Sequence, residues 1–329
     1  MGFNIQINVV LVIWFVVCVG SIDADQFCVN FYSKSCPSVE ALVLGVAKQK
    51  FVEAPVSAPA TIRLFFHDCF VDGCDGSVLI SSTQKHLAER DAADNKNLAA
   101  DAFDTVNKAK AAVEAKCPGI VSCADILAIA ARDFVALAGG PNYPVKKGRK
   151  DGKLSAASRV TGNLPQANYT VDQLLNLFAS KGLNRSDLVA LSGAHSIGFS
   201  HCDGFLDRLY NYHKTNKPDP SMDPKLLKAL RMSCPPMGGN TDILSPFDVN
   251  TPFKFDSMYY NNLQLNLGLL GTDQALMGDP RTKTLVQFYD KYGNNFFQDF
   301  SSAMDKMGSI AVKTGNQGEI RKDCTRFNA

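Results

Sequence analysis

The sequence predicts an all-α fold of two subdomains that share one site. Three observations carry this. Apolar residues recur at helical spacing in segment after segment. Ser or Thr followed three residues later by an acid or amide marks helix starts at Ser122/Asp125 and Thr170/Gln173. The chain of 329 residues is long for one compact unit, and with 46% hydrophobic residues it can bury a sizeable core. A net charge of +2 gives no electrostatic footprint for nucleic acid.

The elements follow in order. Residues 9–20 are an unbroken apolar block of signal-peptide length, too short to span a bilayer comfortably. Residues 1–24 are therefore read as a signal peptide and 25–329 as the mature domain, with no stable membrane anchor. Leu42, Val43, Val46 and Ala47 form the stripe of a helix over 39–53, which Pro55 and Pro59 end. Phe103, Val106, Ala109 and Val113 predict a second over 103–115, and an apolar helix over 123–138 stops at Gly139-Gly140-Pro141. Residues 139–169 read as a surface connection with a short strand near Val145. A helix over 171–181 closes at Gly182. Another is predicted at 201–210. Residues 211–255, rich in proline, read as loop-rich. Helices follow near 256–267, 281–291 and 292–308.

The chemistry concentrates in residues 60–77. Arg63 and His67 are four residues apart and share one helix face, with Phe66 beside them. Asp68, Asp72, Asp75 and Ser77 follow, oxygen donors of the kind hard cations prefer. Far downstream, His195 stands among Gly193, Ala194 and Gly198, small residues that let a flat group approach the backbone. Taken singly, each has an ordinary explanation: a core histidine bonded to a carbonyl, a surface ion pair, a solvated turn. Ten cysteines, one in the signal segment, leave nine in the mature chain, so in an oxidising compartment one is spare. The sequons at Asn168 and Asn184 agree with a secreted route.

Together, Arg63-x-x-Phe66-His67-Asp68-Cys69-Phe70 and Leu191-Ser-Gly-Ala-His195 resemble the secreted plant haem peroxidases (class III, horseradish-peroxidase type). Val121-Ser-Cys-Ala-Asp125, Gly148-Arg149, Asn163-Leu-Pro165, Asp207-Arg-Leu-Tyr210, Thr272-Asp-Gln274 and Gly318-Glu-Ile-Arg321 extend the resemblance over nearly all the mature chain. It implies a two-subdomain haem peroxidase fold with haem b between a distal and a proximal helix and little β structure. By the same resemblance His195 is the haem-iron ligand and Asp273 the carboxylate that holds it. His67 is the distal base, Arg63 the distal cation and Phe66 the aromatic wall. Asn95 and Glu89 support His67, and Pro165 lies beside the donor channel.

The resemblance also implies two calcium ions. Asp68, Val71, Gly73, Asp75 and Ser77 would hold one; Ser196, Asp248, Thr251, Lys254 and Asp256 the other. It pairs Cys36 with Cys117, Cys69 with Cys74, Cys123 with Cys324 and Cys202 with Cys234, leaving Cys28 free. It makes Asp125 and Arg149 a structural ion pair. The implied activity is reduction of hydrogen peroxide with one-electron oxidation of small phenolic donors, by a monomer in the extracellular space or cell wall rather than the vacuole. Asp101-Ala-Phe103 departs from the family pattern near the expected haem propionates. Ala93, Asn168 and Gly204 stand where some members place phenylalanines at the haem edge. An inactive calcium- and glycan-bearing protein, an intracellular ascorbate-type peroxidase and a histidine-based metal hydrolase are the competing readings; for the last, no third ligand has suitable spacing.

Overall fold

The computed structural model describes residues 27–236 and 243–329. The segment read as a signal peptide lies outside them. Among the described residues no helix is long and apolar enough to cross a membrane. Among the described residues twelve α-helices make the fold, with one two-stranded antiparallel ribbon, β1 (Phe199–His201) and β2 (Leu244–Pro246).

The core is organised around α4 (Cys123–Leu137), whose residues are buried almost without a break from Cys123 to Val135. A helix apolar on all sides belongs inside a domain. α2 (Ser57–Phe70) packs against it with Leu64, Phe65, Cys69 and Phe70, while α1 (Val39–Glu53) and α3 (Ala100–Glu114) close the other sides. Each such side chain contributes about 1.5–3 kcal/mol on burial. α5 (Val171–Ser180) and α6 (Arg185–Ser192) lead to His195, and α6 lies on the apolar face of α12 (Gly293–Met307), where Phe296, Phe300, Ala303 and Met304 are buried. A smaller apolar cluster joins Phe205 and Leu209 of the segment around α7 (Leu206–Tyr210) to Leu230 of α8 (Pro224–Ser233) and Leu269. α9 (Met258–Gln264), α10 (Gly271–Gly278) and α11 (Pro280–Lys291) complete the chain.

Several boundaries follow from local chemistry. The Ser122 hydroxyl accepts from Asp125 N at 3.1 Å, but the Asp125 carboxylate does not complete a capping box. It accepts instead from Tyr32 Oη (2.8 Å), Gly148 N (2.7 Å) and Arg149 Nη1 (2.8 Å). The Thr170/Gln173 box is complete. Two expectations are corrected. No strand forms at Val145; the backbone there makes one isolated bridge, Cys28 to Lys147. The helix placed at 201–210 is a strand end, a single 3₁₀ turn and then the short α7, because the ribbon with β2 takes Phe199–His201. The loop-rich stretch 211–255 also holds one helix that the sequence does not predict: Pro224 opens α8 at its first turn, where a missing N–H costs nothing, and Asp223 caps it.

Four disulfides staple these layers: Cys36–Cys117, Cys69–Cys74, Cys123–Cys324 and Cys202–Cys234, and Cys28 is a free thiol. Cys123–Cys324 spans a sequence separation of 201 residues and ties α4 to the C-terminal tail. Arg149 and Asp125 are both buried, and the Arg149 guanidinium also donates to Gly308 O, which joins the connection after α4 to the end of α12. Asp125→Ala leaves that guanidinium buried without its carboxylate. Such a loss costs about 3–5 kcal/mol, so urea unfolding of the variant is expected to show a stability loss of that size. A change below about 1 kcal/mol would refute the structural role.

Candidate active site

α2 carries Arg63 and His67 on one face because their spacing is a single helical turn. His67 is buried and its Nδ1 lies 2.7 Å from Asn95 Oδ1. The Asn95 amide in turn donates to Glu89 O at 2.8 Å, so its oxygen faces the imidazole. Burial, with the Arg63 charge beside it, pushes the His67 pKa down to about 3, against the Asn95 bond. At neutral pH the ring is uncharged, and the Asn95 bond places its proton on Nδ1. Arg63 Nε donates to the opposite nitrogen, Nε2, at 3.2 Å, while its outer nitrogens donate to Asn97 O and Oδ1. Burial lowers the Arg63 pKa to about 10, with the Asp203 carboxylate acting against that fall. Phe66 sits edge-on to His67 at 5.9 Å and lies against Phe70 at 4.0 Å, tilted by 30°.

His195 occupies a 3₁₀ turn after α6. Its Nδ1 is 2.7 Å from Asp273 Oδ1 of α10, while the ring stays 34% exposed over a carboxylate that is 3% exposed. Among the described residues, no protein hydrogen bond to its Nε2 appears. A fixed ring with an open Nε2 can donate to a metal ion. The small residues beside it are also accounted for. A side chain at Gly193 would strike Phe296 and the Tyr260 hydroxyl, and one at Gly198 would meet Pro59 at 2.8 Å, which brings the segment after His195 against the start of α2.

Asp273 is held from several directions. Burial would raise its pKa, but His195, the Leu270 N–H and the Tyr259 hydroxyl together hold it below the usual carboxylate range. The buried Arg208 pairs with Asp219 at 2.8 Å and donates to the carbonyls of Gly268, Leu269 and Leu270, which pins the backbone entering α10. Phe247 stacks flat on the His195 ring, 4.0 Å centroid to centroid and 4° from parallel. Neither Tyr259 nor Phe247 carried a signal in the sequence; Arg208 stood in the Asp207-Arg-Leu-Tyr210 motif without an assigned task.

The acidic loop folds around buried carboxylates. Asp68 accepts from Gly76 N (2.9 Å), Asp75 from Ser77 N (3.0 Å), and the Ser77 hydroxyl donates to Glu89 Oε2 (3.0 Å). Burial and the neighbouring Asp75 push Asp68 up to about 8; burial, then Asp68 and Asp75, push Glu89 up to about 9. Glu89 Oε1 is buried with no partner among the described residues. Lys313 Nζ reaches Asp75. Gly73, at φ 103°, passes so close to Ala311 and Ile310 that a side chain would clash, which fixes its carbonyl. Val71 N caps α2 by donating to Asp68 O. This surplus of buried oxygen suits a cation that accepts about six to eight oxygen ligands.

The second oxygen cluster gathers Ser196, Asp248, Thr251, Lys254 and Asp256 at one point. Ser196 Oγ donates to Lys254 O (3.0 Å) and accepts from Asp256 N (2.9 Å); the Thr251 hydroxyl lies 3.1 Å from Asp256 and 3.3 Å from Asp248. Burial raises the Asp248 pKa. Among the described residues no group of three or more His, Cys, Asp or Glu forms a metal cluster; each oxygen set here depends on carbonyls and hydroxyls as well. Asp101, the departure near the expected propionates, instead pairs with Lys50 of α1 at 2.9 Å. Pro165 lies in the connection before α5, and next to it Gln166 donates to Asp94 at 3.2 Å.

A family model described as Peroxidase matches residues 43–292. Peroxidase 19 of Arabidopsis thaliana is 58% identical over 301 residues, covering 91% of this chain and 87% of that protein. Peroxidase 55 of the same plant is 50% identical over 92% of this chain and 91% of its own length. Peroxidase 51 is 49% identical, with 91% of each chain covered. With two fixed histidines of opposite surroundings and these relatives over nine tenths of its length, the chain belongs to the peroxidase family, as a plant haem peroxidase of class III that uses hydrogen peroxide.

Proposed function

We propose that His67 and Arg63 perform the proton transfer and charge stabilisation of peroxide cleavage, that His195 holds haem b with Asp273 behind it, and that small phenols supply the electrons. The observation that carries this reading is the different partner of each histidine. His67 leans on a neutral amide, Asn95, and His195 on a buried carboxylate, Asp273. An amide keeps a buried imidazole neutral and its Nε2 lone pair available as a base. A carboxylate enriches the imidazole's donor strength toward a metal.

Bound haem supplies the redox centre that accepts both oxidising equivalents of peroxide. The protein's part is proton transfer and position. His67 Nε2 takes the proton from one peroxide oxygen and returns it to the other, which leaves as water. Arg63 Nε donates to that nitrogen in the structure and yields to the incoming peroxide; its charge then faces the departing oxygen. Phe66 fills the side of the space next to His67. Two phenols give one electron and one proton each. Pro165 borders their approach, and Ala93, Asn168 and Gly204 leave that edge without phenylalanine rings.

Asp68, Val71, Gly73, Asp75 and Ser77 form one calcium site in this reading, and Ser196, Asp248, Thr251, Lys254 and Asp256 the other. Support comes from the buried, mutually repelling carboxylates and the unpartnered Glu89 oxygen of the first set, and from the convergence of the second on the Thr251 and Ser196 hydroxyls. The protein acts as a secreted monomer of the extracellular space or cell wall, a reading supported by the apolar leader and by four disulfides, which persist in oxidising compartments.

Stopped-flow spectra of the haem-loaded protein test the roles. His67→Ala is expected to slow the peroxide-induced change of the haem band by about 10²–10⁴-fold with haem retained, whereas His195→Ala is expected to lose haem. Near-normal peroxide reactivity in His67→Ala would sink the assignment. For calcium, chelation is expected to lower the thermal midpoint and added calcium to restore it. The stabilisation is about 2.7 kcal/mol when free calcium is a hundredfold above its Kd. Atomic analysis finding no calcium in the purified protein, together with a midpoint indifferent to chelator and to added calcium, would remove both sites.

A further inference from the structure

A row of aromatic rings runs from beside His195 to the surface. The Tyr259 ring meets the His195 ring edge-on at 6.1 Å, and its hydroxyl shares Asp273 Oδ1 with His195 Nδ1, at 3.0 and 2.7 Å. Tyr259 touches Tyr260 at 5.1 Å, Tyr260 touches Tyr289 at 5.2 Å, Tyr289 touches Phe288 at 5.8 Å and Phe288 touches Tyr292 at 5.1 Å. α9 supplies the first two rings, α11 the next two, and Tyr292 caps α11. The three inner tyrosines are buried, while Phe288 is 39% and Tyr292 44% exposed. Packing explains contacts among the inner rings. The row continues through two exposed aromatics, Phe288 and Tyr292, which the end of α11 sets one turn apart.

We propose that this row conducts oxidising equivalents from the proximal side to Tyr292, which serves as a second oxidation site for electron-rich aromatic donors too large to reach the buried one, such as phenols carried on a polymer. The proposal rests on His195 being the haem ligand. Reduction of one H2O2 to two waters takes two electrons and two protons. Each electron drawn along the row leaves Tyr292 as a neutral radical whose phenolic proton has gone to solvent. A donor phenol then returns one electron and one proton to Tyr292 and becomes a phenoxyl radical. The sum is one H2O2 and two phenols to two waters and two phenoxyl radicals.

Proton exits decide where the radical rests. The Tyr260 hydroxyl donates to a backbone carbonyl, Val189 O at 2.9 Å, which cannot accept its proton outright. The Tyr289 hydroxyl donates to the Asp299 carboxylate at 2.8 Å, which can hold that proton while the charge pauses on Tyr289 and return it when Tyr292 gives up its electron. Tyr292 releases its proton to water. The Lys291 ammonium, 5.1 Å over its ring, makes the ring harder to oxidise and its radical a stronger oxidant.

The test uses the haem-loaded protein with one equivalent of H2O2, a nitroso spin trap and no donor, followed by peptide mass spectrometry. The trap adduct is expected on Tyr292, to vanish in Tyr292→Phe and to fall at least fivefold in Phe288→Leu, which keeps Tyr292 but breaks the row. Tyr292→Phe is also expected to oxidise a polymer-bound phenol at least fivefold more slowly while a small soluble phenol is oxidised within twofold of the unmodified rate. A peroxide-responsive haem band with no adduct on Tyr292 would overturn the route and leave the assignment of His195 intact. So would an adduct on Tyr292 that Phe288→Leu does not lower. A haem band that ignores peroxide would overturn both.

Discussion

The distal half of this protein depends on one line of hydrogen bonds. Ser77 donates to Glu89, Asn95 donates to the Glu89 carbonyl, and the Asn95 oxygen faces His67. One end of the line lies in the acidic loop and the other at the imidazole. Every member is buried, where an unmade bond costs about 1–3 kcal/mol. The loop therefore sets more than its own conformation. The position of Ser77 depends on how Asp75 and Asp68 settle their mutual repulsion, and through Glu89 and Asn95 that choice reaches the imidazole. Lys313, which reaches Asp75, and Arg321, which donates to Gly76 O at 2.7 Å, tie the same loop to the C-terminal tail. The tail is fixed in turn by Cys123–Cys324.

The proximal half is built differently. Asp273 stands at the start of the short α10, and its position is also enforced from outside that helix. Arg208 gathers three successive carbonyls just before α10, and Asp219 neutralises the guanidinium that does so. This is a buried ion pair employed to set backbone position, and removing either partner would expose the other to an uncompensated charge. The fixed carboxylate then receives two donors on the same oxygen, His195 and Tyr259. Asp273 is thereby the point where the histidine and the aromatic core of α9 and α11 meet.

Much of this was legible in the sequence, for identifiable reasons. α1, α4, α5, α11 and α12 have long periodic stripes or side-chain caps, and the structure places them within a few residues of the predicted limits. α8 was missed because its prolines read as breakers, although Pro224 takes the one helical position where proline fits. α6 and α10 were missed because eight residues carry too little periodicity. Arg63 and His67 could be paired from spacing alone, since one helix holds both. Asn95, Glu89 and Asp273 could not: each reaches its partner through a turn, and only the resemblance pointed to them. Phe247 and Tyr259 lay outside even that, because stacking on a ring and sharing an acceptor leave no mark in spacing.

The two histidines show how little the residue type decides. Both imidazoles are held through Nδ1 at 2.7 Å, so both present Nε2. The difference lies one atom further out. Behind His67 stands an amide whose nitrogen donates to Glu89 O, and beside it the Arg63 charge opposes protonation. Behind His195 stands a carboxylate kept ionised by three donors. A base must shed its proton again within each turnover, so a ring that resists lasting protonation is the right one to carry it. A metal ligand must keep donating while electrons are withdrawn from it, so a ring backed by negative charge is the right one to do that. Exchanging Asn95 and Asp273 would leave the covalent chemistry of both rings unchanged and reverse these tendencies. The division of labour proposed for them is therefore written in the residues that touch the histidines, and those are positioned by the acidic loop on one side and by Arg208 on the other.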